Sequence, residues 1–274
     1  MTIRFASQTY AWQMSGAWRG RLGEIAEVVG RNGFEGIEFE VVMSEGYETA
    51  DAVSRLLTGN DLSLAAITLV LPWRHTEETP EERAEADRII DVLRHFPGAK
   101  LALVQWPFDE PPAEREAAQD RLLSCLTAIT ARALAAGVSP TYHPNSPAGS
   151  IVRDSDDYER VLPRLPQGLG WTPDTGHIAL GGMDCVEVIR RYRDRVDHIH
   201  LKDADAAGQW VPNGSGVIDM PGAVRLLAET GYSGWIVVED ESPDAERDPH
   251  ASAAANSEYV RDVLKPITER EAQP

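Results

Sequence analysis

Cysteine is nearly absent: Cys125 and Cys185 are the only two among 274 residues, and both have apolar or helix-like neighbours. Two such residues support neither a disulfide framework nor a cysteine-based zinc site, and they point to a reduced, intracellular protein. Long apolar runs are missing as well. No stretch approaches the roughly 18 apolar residues of a spanning helix. The opening residues, MTIRFASQTYAW, lack the charged and apolar pattern of a secretory leader. The expectation is a soluble, cytoplasmic chain that does not engage membranes. Positive charge is scarce: 26 Lys and Arg stand against 44 Asp and Glu, a formal net charge of -18. Phosphate backbones are bound by neutralising them with Lys and Arg, so nucleic acid is not an expected partner. Linker-like Pro/Gly/Ser tracts, low-complexity segments and close repeats are also lacking.

What the chain has is alternation. Strand-like runs occur at 4–12, 36–40, 62–71, 100–106, 139–145, 169–177, 196–203 and 234–241, eight in all. Helix-like segments lie between and after them, at about 21–32, 48–60, 80–95, 112–136, 154–165, 184–194, 219–230 and 252–265. Glycine follows several helices just before the next strand, as in RNGFEGIEF, AAGVSPTYH and ETGYSGWIVVE, which suits the left-handed residue after a helix C-cap. Asp154, Asp184 and Asp219 stand where N-caps belong. Eight strand-helix units predict an α/β fold, a single (β/α)8 TIM barrel over residues 1–266 with a flexible tail at 267–274. The rival, a doubly wound sheet, would carry GxGxxG after its first strand; here that strand ends YAWQMSGAWRG.

A parallel barrel puts its chemistry at the C-terminal strand ends. Those ends carry Glu38 and Glu40; Gln105 and Trp106; His143 and Asn145; Asp174 with His177 three residues on; His198, His200, Lys202 and Asp203; and Glu239. Four of the seven histidines fall there. Alternation on VDHIHLKDAD turns His198, His200 and Lys202 one way and Ile199 and Leu201 the other. A lone HxH is equally compatible with two buried, hydrogen-bonded histidines. Imidazoles and carboxylates recurring at successive strand ends are harder to explain that way. Asp240, Glu241 and Asp205, by contrast, read as ordinary solvated loop acids. Asp174, His200 and Glu239 would form a mixed N/O set for Mn²⁺, Co²⁺, Zn²⁺, Fe²⁺ or Mg²⁺, with His143 as the leading fourth ligand. An ion held there would leave positions for substrate oxygens and could polarise a carbonyl. Trp12, Trp73, Trp106 and Trp210 could wall a sugar site, and the loop WVPNGSGVID could turn backbone N–H groups toward an anion.

DTGH on strand 6, HIHLKD on strand 7 and GYSGWIVVE on strand 8 together resemble the xylose isomerase-like superfamily of barrels. The likeness runs through nearly the whole chain, to DPHASAAANSEYVRDVL in the last helix, and marks the superfamily more sharply than any one of its reactions. It implies Asp174, His200 and Glu239 as metal ligands, His143 joining them, and a polyhydroxylated small-molecule substrate. His143, Glu239 and His177 become the catalytic candidates. Glu38, Glu40, Gln105, Asn145, Arg153, His177 and Lys202 become substrate contacts, and His198 and Asp203 groups that orient the ligands from behind. The implied reaction is isomerisation or epimerisation of a sugar or keto-sugar, phosphorylated or free, by proton abstraction next to a carbonyl or hydroxyl that the ion holds. Strand 5 departs from the pattern. Tagatose-type epimerases carry a catalytic glutamate there, whereas this chain reads YHPN, closer to inosose dehydratase-like members and to β-elimination from a keto-sugar or keto-cyclitol. A barrel that has lost its chemistry is a third reading. An apurinic-site nuclease would need further histidines near strands 2–4, where only His75 and His95 occur. Superfamily members are often dimers or tetramers, and the resemblance carries that expectation over.

Overall fold

The structure, a computed structural model, describes residues 2–108 and 112–271. Among the described residues ten strands form in chain order: β1 (Ile3–Gln8), β2 (Gly36–Glu40), β3 (Ser63–Leu71), β4 (Lys100–Gln105), β5 (Ser139–Tyr142), β6 (Gly170–Trp171), β7 (Ile199–Leu201), β8 (Asp203–Ala204), β9 (Trp210–Val211) and β10 (Gly234–Val238). All but β8 and β9 are parallel, in the order β6-β5-β4-β3-β2-β1-β10-β7. Isolated parallel bridges, Trp171 with Val196 and Asp174 with His200, join β6 to β7 and bring the ring nearly to closure. β8 and β9 form a small antiparallel hairpin in the connection after β7.

The helices that cover the staves are α2 (Leu22–Arg31), α3 (Ala50–Gly59), α4 (Pro80–Leu93), α5 (Arg115–Ala135), α6 (Ser155–Val161), α8 (Cys185–Arg191), α9 (Met220–Glu229) and α11 (Pro249–Tyr259). Their ends follow local chemistry. Asp154, Asp184 and Asp219 accept the backbone N–H groups of Asp157, Glu187 and Gly222 at 3.1, 3.0 and 2.8 Å, capping α6, α8 and α9. Gly33, Gly137 and Gly231, at φ of 80°, 77° and 71°, turn the chain from a helix toward the next stave. The apolar core lies between staves and helices, whereas the barrel's inner face closes at one end on Ala6, Ala65, Trp235 and Val237. A Cβ at Gly36 would meet the Trp235 ring at 2.6 Å, so only glycine leaves room for that plug.

The strand-like runs that reach past the staves break into short helices instead. α1 (Tyr10–Met14) replaces the end of the first run, and α7 (Thr175–Leu180) the end of the sixth, because Asp174 caps a helix by accepting the His177 N–H at 2.8 Å. α10 (Pro243–Arg247) also forms between the last stave and α11. The expected boundary at residue 266 falls inside a further helix, α12 (Lys265–Glu271), whose Ile267 packs on the core; residues 272–274 lie outside the described ones. Cys125 and Cys185 are both free and buried. Among the described residues no helix is long and apolar enough to cross a membrane.

Candidate metal and active site

Period-two alternation builds the site floor. Ile37 and Phe39 of β2, like Ile199 and Leu201 of β7, join the core under the helices, which turns Glu38, Glu40, His198, His200 and Lys202 into the barrel. Glu38 is fully buried. It accepts the Thr68 hydroxyl at 2.6 Å and lies 2.7 Å from His198 Nε2. Its other oxygen is 2.9 Å from His200 Nε2, too poorly aligned to count as a hydrogen bond. On the opposite edge of that ring, His200 Nδ1 is 2.9 Å from Glu239 Oε2. His200 is thus clamped between two carboxylates. Burial alone would lower its pKa; the charge of Glu38 and the contacts with Glu239 outweigh burial and push it up to about 10.

Lys202 is the second cation, and it is 1% exposed. Its Nζ lies 3.4 Å from Asp174 Oδ2 and 3.2 Å from Glu239 Oε1, donates to His177 Nε2 at 3.3 Å, and bonds Glu241. Burial disfavours ionising Asp174 and Glu239, but the Lys202 charge overcomes it. Asp174 is held well below the usual carboxylate range and Glu239 is brought down to about 2. Burial, then the Lys202 charge, pushes His177 down to about 3, so its imidazole is neutral, with Nδ1 2.8 Å from the Ser146 hydroxyl. Trp210 of β9 lies over this group, 5.0 Å from Lys202 Nζ and 5.6 Å from the His177 ring. It fits because residue 176 is glycine: a Cβ there would meet the indole at 2.6 Å.

The donors suit a divalent ion. Ligand atoms of Asp174, His200 and Glu239 lie within 4.8 Å of one another, as do those of His143, Asp174 and His177. Asp174 belongs to both groups, and its Oδ2 is 3.7 Å from His143 Nε2. Asp174 Oδ2 and both ring nitrogens of His143 are buried without a hydrogen-bond partner. Buried polar atoms cost free energy unless paired, and carboxylates with imidazoles are the oxygen and nitrogen set that borderline or hard divalent ions take. Glu38, His198 and His200 form a third such group, but there each donor already faces a partner.

A cavity of about 310 Å³ opens above these residues, lined among others by Gln8, Tyr10, Gln13, Glu40, Trp106, His143, Asn145, His177, His200, Glu239 and Glu241. Several expected contacts lie elsewhere. Glu38 sits beneath the floor rather than on the wall. Gln105 turns its amide to the Pro72 carbonyl at 3.2 Å. Asn145 reaches the cavity, but its amide is spent on the Gln105 carbonyl and the Ser150 hydroxyl, at 3.0 and 2.5 Å. Arg153 is exposed and does not line the cavity. Asp203 orients no ligand: its carboxylate accepts the N–H groups of Gly214, Gly216 and Ile218 at 3.0, 2.8 and 3.2 Å, so the glycine-rich loop already holds its anion. His198 stands behind His200, sharing Glu38 with it and meeting its ring edge-on at 5.6 Å between centroids.

Other residues join the site that no strand-end pattern marks. Tyr10 and Gln13 come from α1, which begins inside the expected first strand run and ends beyond it; Gln13 Nε2 donates to Glu40 at 2.7 Å. Burial, with the charges of Glu239, Glu38 and Glu241 outweighing that hydrogen bond, raises Glu40 to about 7. Glu241, read as a solvated acid, lines the cavity, and Asp240 is buried against the Ser252 hydroxyl at 2.7 Å. The only signal for Glu241 was its place two residues beyond Glu239, on the same face.

Residues 26–263 match a family model described as a xylose isomerase-like TIM barrel. An inosose dehydratase from Geobacillus thermodenitrificans is 27% identical over 236 residues, 74% of this chain and 78% of its own length. One from Lacticaseibacillus casei is 30% identical over 172 residues, 56% of this chain and 57% of its own length. Among solved structures, the IolI protein with a binding zinc atom superposes with a TM-score of 0.76 at 14% identity, over 99% of this chain and 100% of that one. D-psicose 3-epimerase from Clostridium cellulolyticum H10, with D-tagatose, gives 0.74 at 15%, over 95% and 99%. At those identities the likeness to solved structures speaks for the fold alone.

Proposed function

As a member of the xylose isomerase-like TIM barrel family, to which this chain belongs, the protein is, we propose, a divalent-metal-dependent enzyme that removes a proton beside the carbonyl of an uncharged keto-sugar or keto-cyclitol. The observation that carries this reading is the buried meeting of Asp174, His200 and Glu239 below a cavity that His143 enters with both ring nitrogens unpartnered. Asp174, His200 and Glu239 would hold the ion, with His143 beside them. When bound, the ion supplies Lewis acidity at the substrate carbonyl and so acidifies the neighbouring C–H.

His143 is the group free to take that proton. An elimination also needs a proton on the departing hydroxyl, and one imidazole can perform both transfers in turn. The C–H and C–O bonds then break, a C=C bond forms, and water leaves. Returning the proton to the adjacent carbon instead gives isomerisation, which shares the first step. The histidine where a second carboxylate would serve a two-base epimerisation favours elimination, as do the relatives named inosose dehydratase. His177, Glu40, Tyr10 and Gln13 offer contacts for substrate hydroxyls. Among the described residues that line the cavity there is no Arg or Lys, while Glu40, Glu239 and Glu241 are there, which favours an uncharged substrate over a phosphorylated one. The test is to incubate Mn²⁺-loaded protein with a keto-inositol and with a free ketohexose and to follow products by mass and NMR. Loss of water from the keto-inositol is expected; if neither compound is dehydrated or rearranged, the reading fails.

A further inference from the structure

The catalytic cavity does not end at its rim. A second groove, also of about 310 Å³, shares Gln13, Glu40, Thr68, Val70 and Trp106 with it and continues over the end of β3 toward α4. Trp106 lines both, its side chain 59% exposed and its backbone held by an N–H bond to the Leu71 carbonyl at 2.8 Å. Val42, 40% exposed, adds a second apolar surface to the groove. Arg19 stands at its edge and pairs with no carboxylate among the described residues, whereas Glu85 is already taken by Arg88 at 2.7 Å.

A cavity of this size is at the small end of ligand pockets and suits one six-membered ring; with the groove added, two rings fit. An exposed indole lining two adjoining spaces offers its face to a flat or C–H-lined ring, and a guanidinium in the same groove, paired with no carboxylate among the described residues, offers donors to that ring's oxygens. We propose that the substrate is a keto-sugar or keto-cyclitol bearing a second ring through oxygen, the reacting ring over the His143 site and the outer ring on Trp106. The proposal rests on the functional reading above for the inner ring, and adds the groove as a subsite for the outer one.

Binding tests the subsite separately from turnover. Titration calorimetry of the Mn²⁺-loaded protein with phenyl β-glucoside, cellobiose and methyl β-glucoside compares an aryl, a glycosyl and a minimal substituent. One of the two ring-bearing compounds should bind about fivefold to tenfold tighter than the methyl glycoside, the gain expected of one aromatic contact. Trp106→Ala should erase that ratio, with circular dichroism and thermal melting showing that the variant is folded. Equal affinities for all three, absence of binding by all three, or a ratio that survives in Trp106→Ala overturns the subsite. Preference for a ring substituent without dehydration of any keto compound would support the subsite and reject the parent reaction.

Discussion

Replacing Glu38 with glutamine probes how the barrel holds His200. The carboxylate is fully buried and meets Thr68 Oγ1 at 2.6 Å, His198 Nε2 at 2.7 Å and His200 Nε2 at 2.9 Å. Burial opposes its ionisation, and the charges of His200 and His198 overcome it, leaving Glu38 well below the usual carboxylate range. Glutamine keeps an acceptor for Thr68. It loses the charge that faces both imidazoles, and turns an NH₂ toward one of them. A hydrogen bond to a charged group contributes about 1.5–3 kcal/mol, and breaking a buried ion pair costs about 3–5 kcal/mol, so we expect a loss of about 2–4 kcal/mol. Because partners behind a metal-bound histidine set its orientation, Mn²⁺ affinity should also fall about 10- to 100-fold. Urea unfolding of the metal-free protein and equilibrium dialysis with Mn²⁺ read the two effects separately. A stability change under about 0.5 kcal/mol together with an unaltered affinity would refute the clamp, since charged hydrogen bonds of this kind are not that weak.

His143→Ala should lower turnover by about 10²- to 10⁴-fold, the usual contribution of a proton-transfer group, while Mn²⁺ binding by Asp174, His200 and Glu239 changes far less. Steady-state rates and dialysis on one preparation check the contrast. Glu40, raised from 4.5 to about 7, gives stability that is fully present below pH 4.5 and is lost as pH rises through 7. Glu40→Gln should therefore match the parent near pH 4 and exceed it by about 1–2 kcal/mol at pH 8, the full shift discounted for partial exposure; urea unfolding across that range is the measurement. Gly176→Ala sets a Cβ against the Trp210 ring, 2.6 Å away, and should cost about 1–3 kcal/mol of stability in thermal melts as the indole is displaced.

The staves and their helices were legible because both periods are clean in the sequence. GIEFE alternates apolar and acidic residues, and HIHLKD alternates apolar residues with polar ones, so the inward set followed from one strand assignment. Asp154, Asp184 and Asp219 announced their helices by cap chemistry that the structure bears out. What the sequence hid lies where a stave ends. Tyr10 falls in a strand-like run and Gln13 just past its end, yet two residues past β1 the chain turns into a helix that delivers both to the cavity. Arg153, in the connection between β5 and α6, is exposed, its backbone N–H donating to Asp157 at 2.8 Å at the start of α6. Asp203 shares HLKD with the ligand histidine, and its role as the anchor of a glycine-rich loop depends on residues 11 to 15 positions further on. Such long-range partners leave no periodic trace.

Equilibrium dialysis of the purified, chelator-stripped protein against Mn²⁺, run in parallel on His200→Ala and Glu239→Gln, tests the central claim most directly. We expect one ion per chain in the parent and at least about 100-fold weaker binding in each variant, with circular dichroism unchanged, because each variant removes one of the three ligands. An absence of specific binding by the parent, or undiminished binding by both variants, would contradict a metal centre built on Asp174, His200 and Glu239.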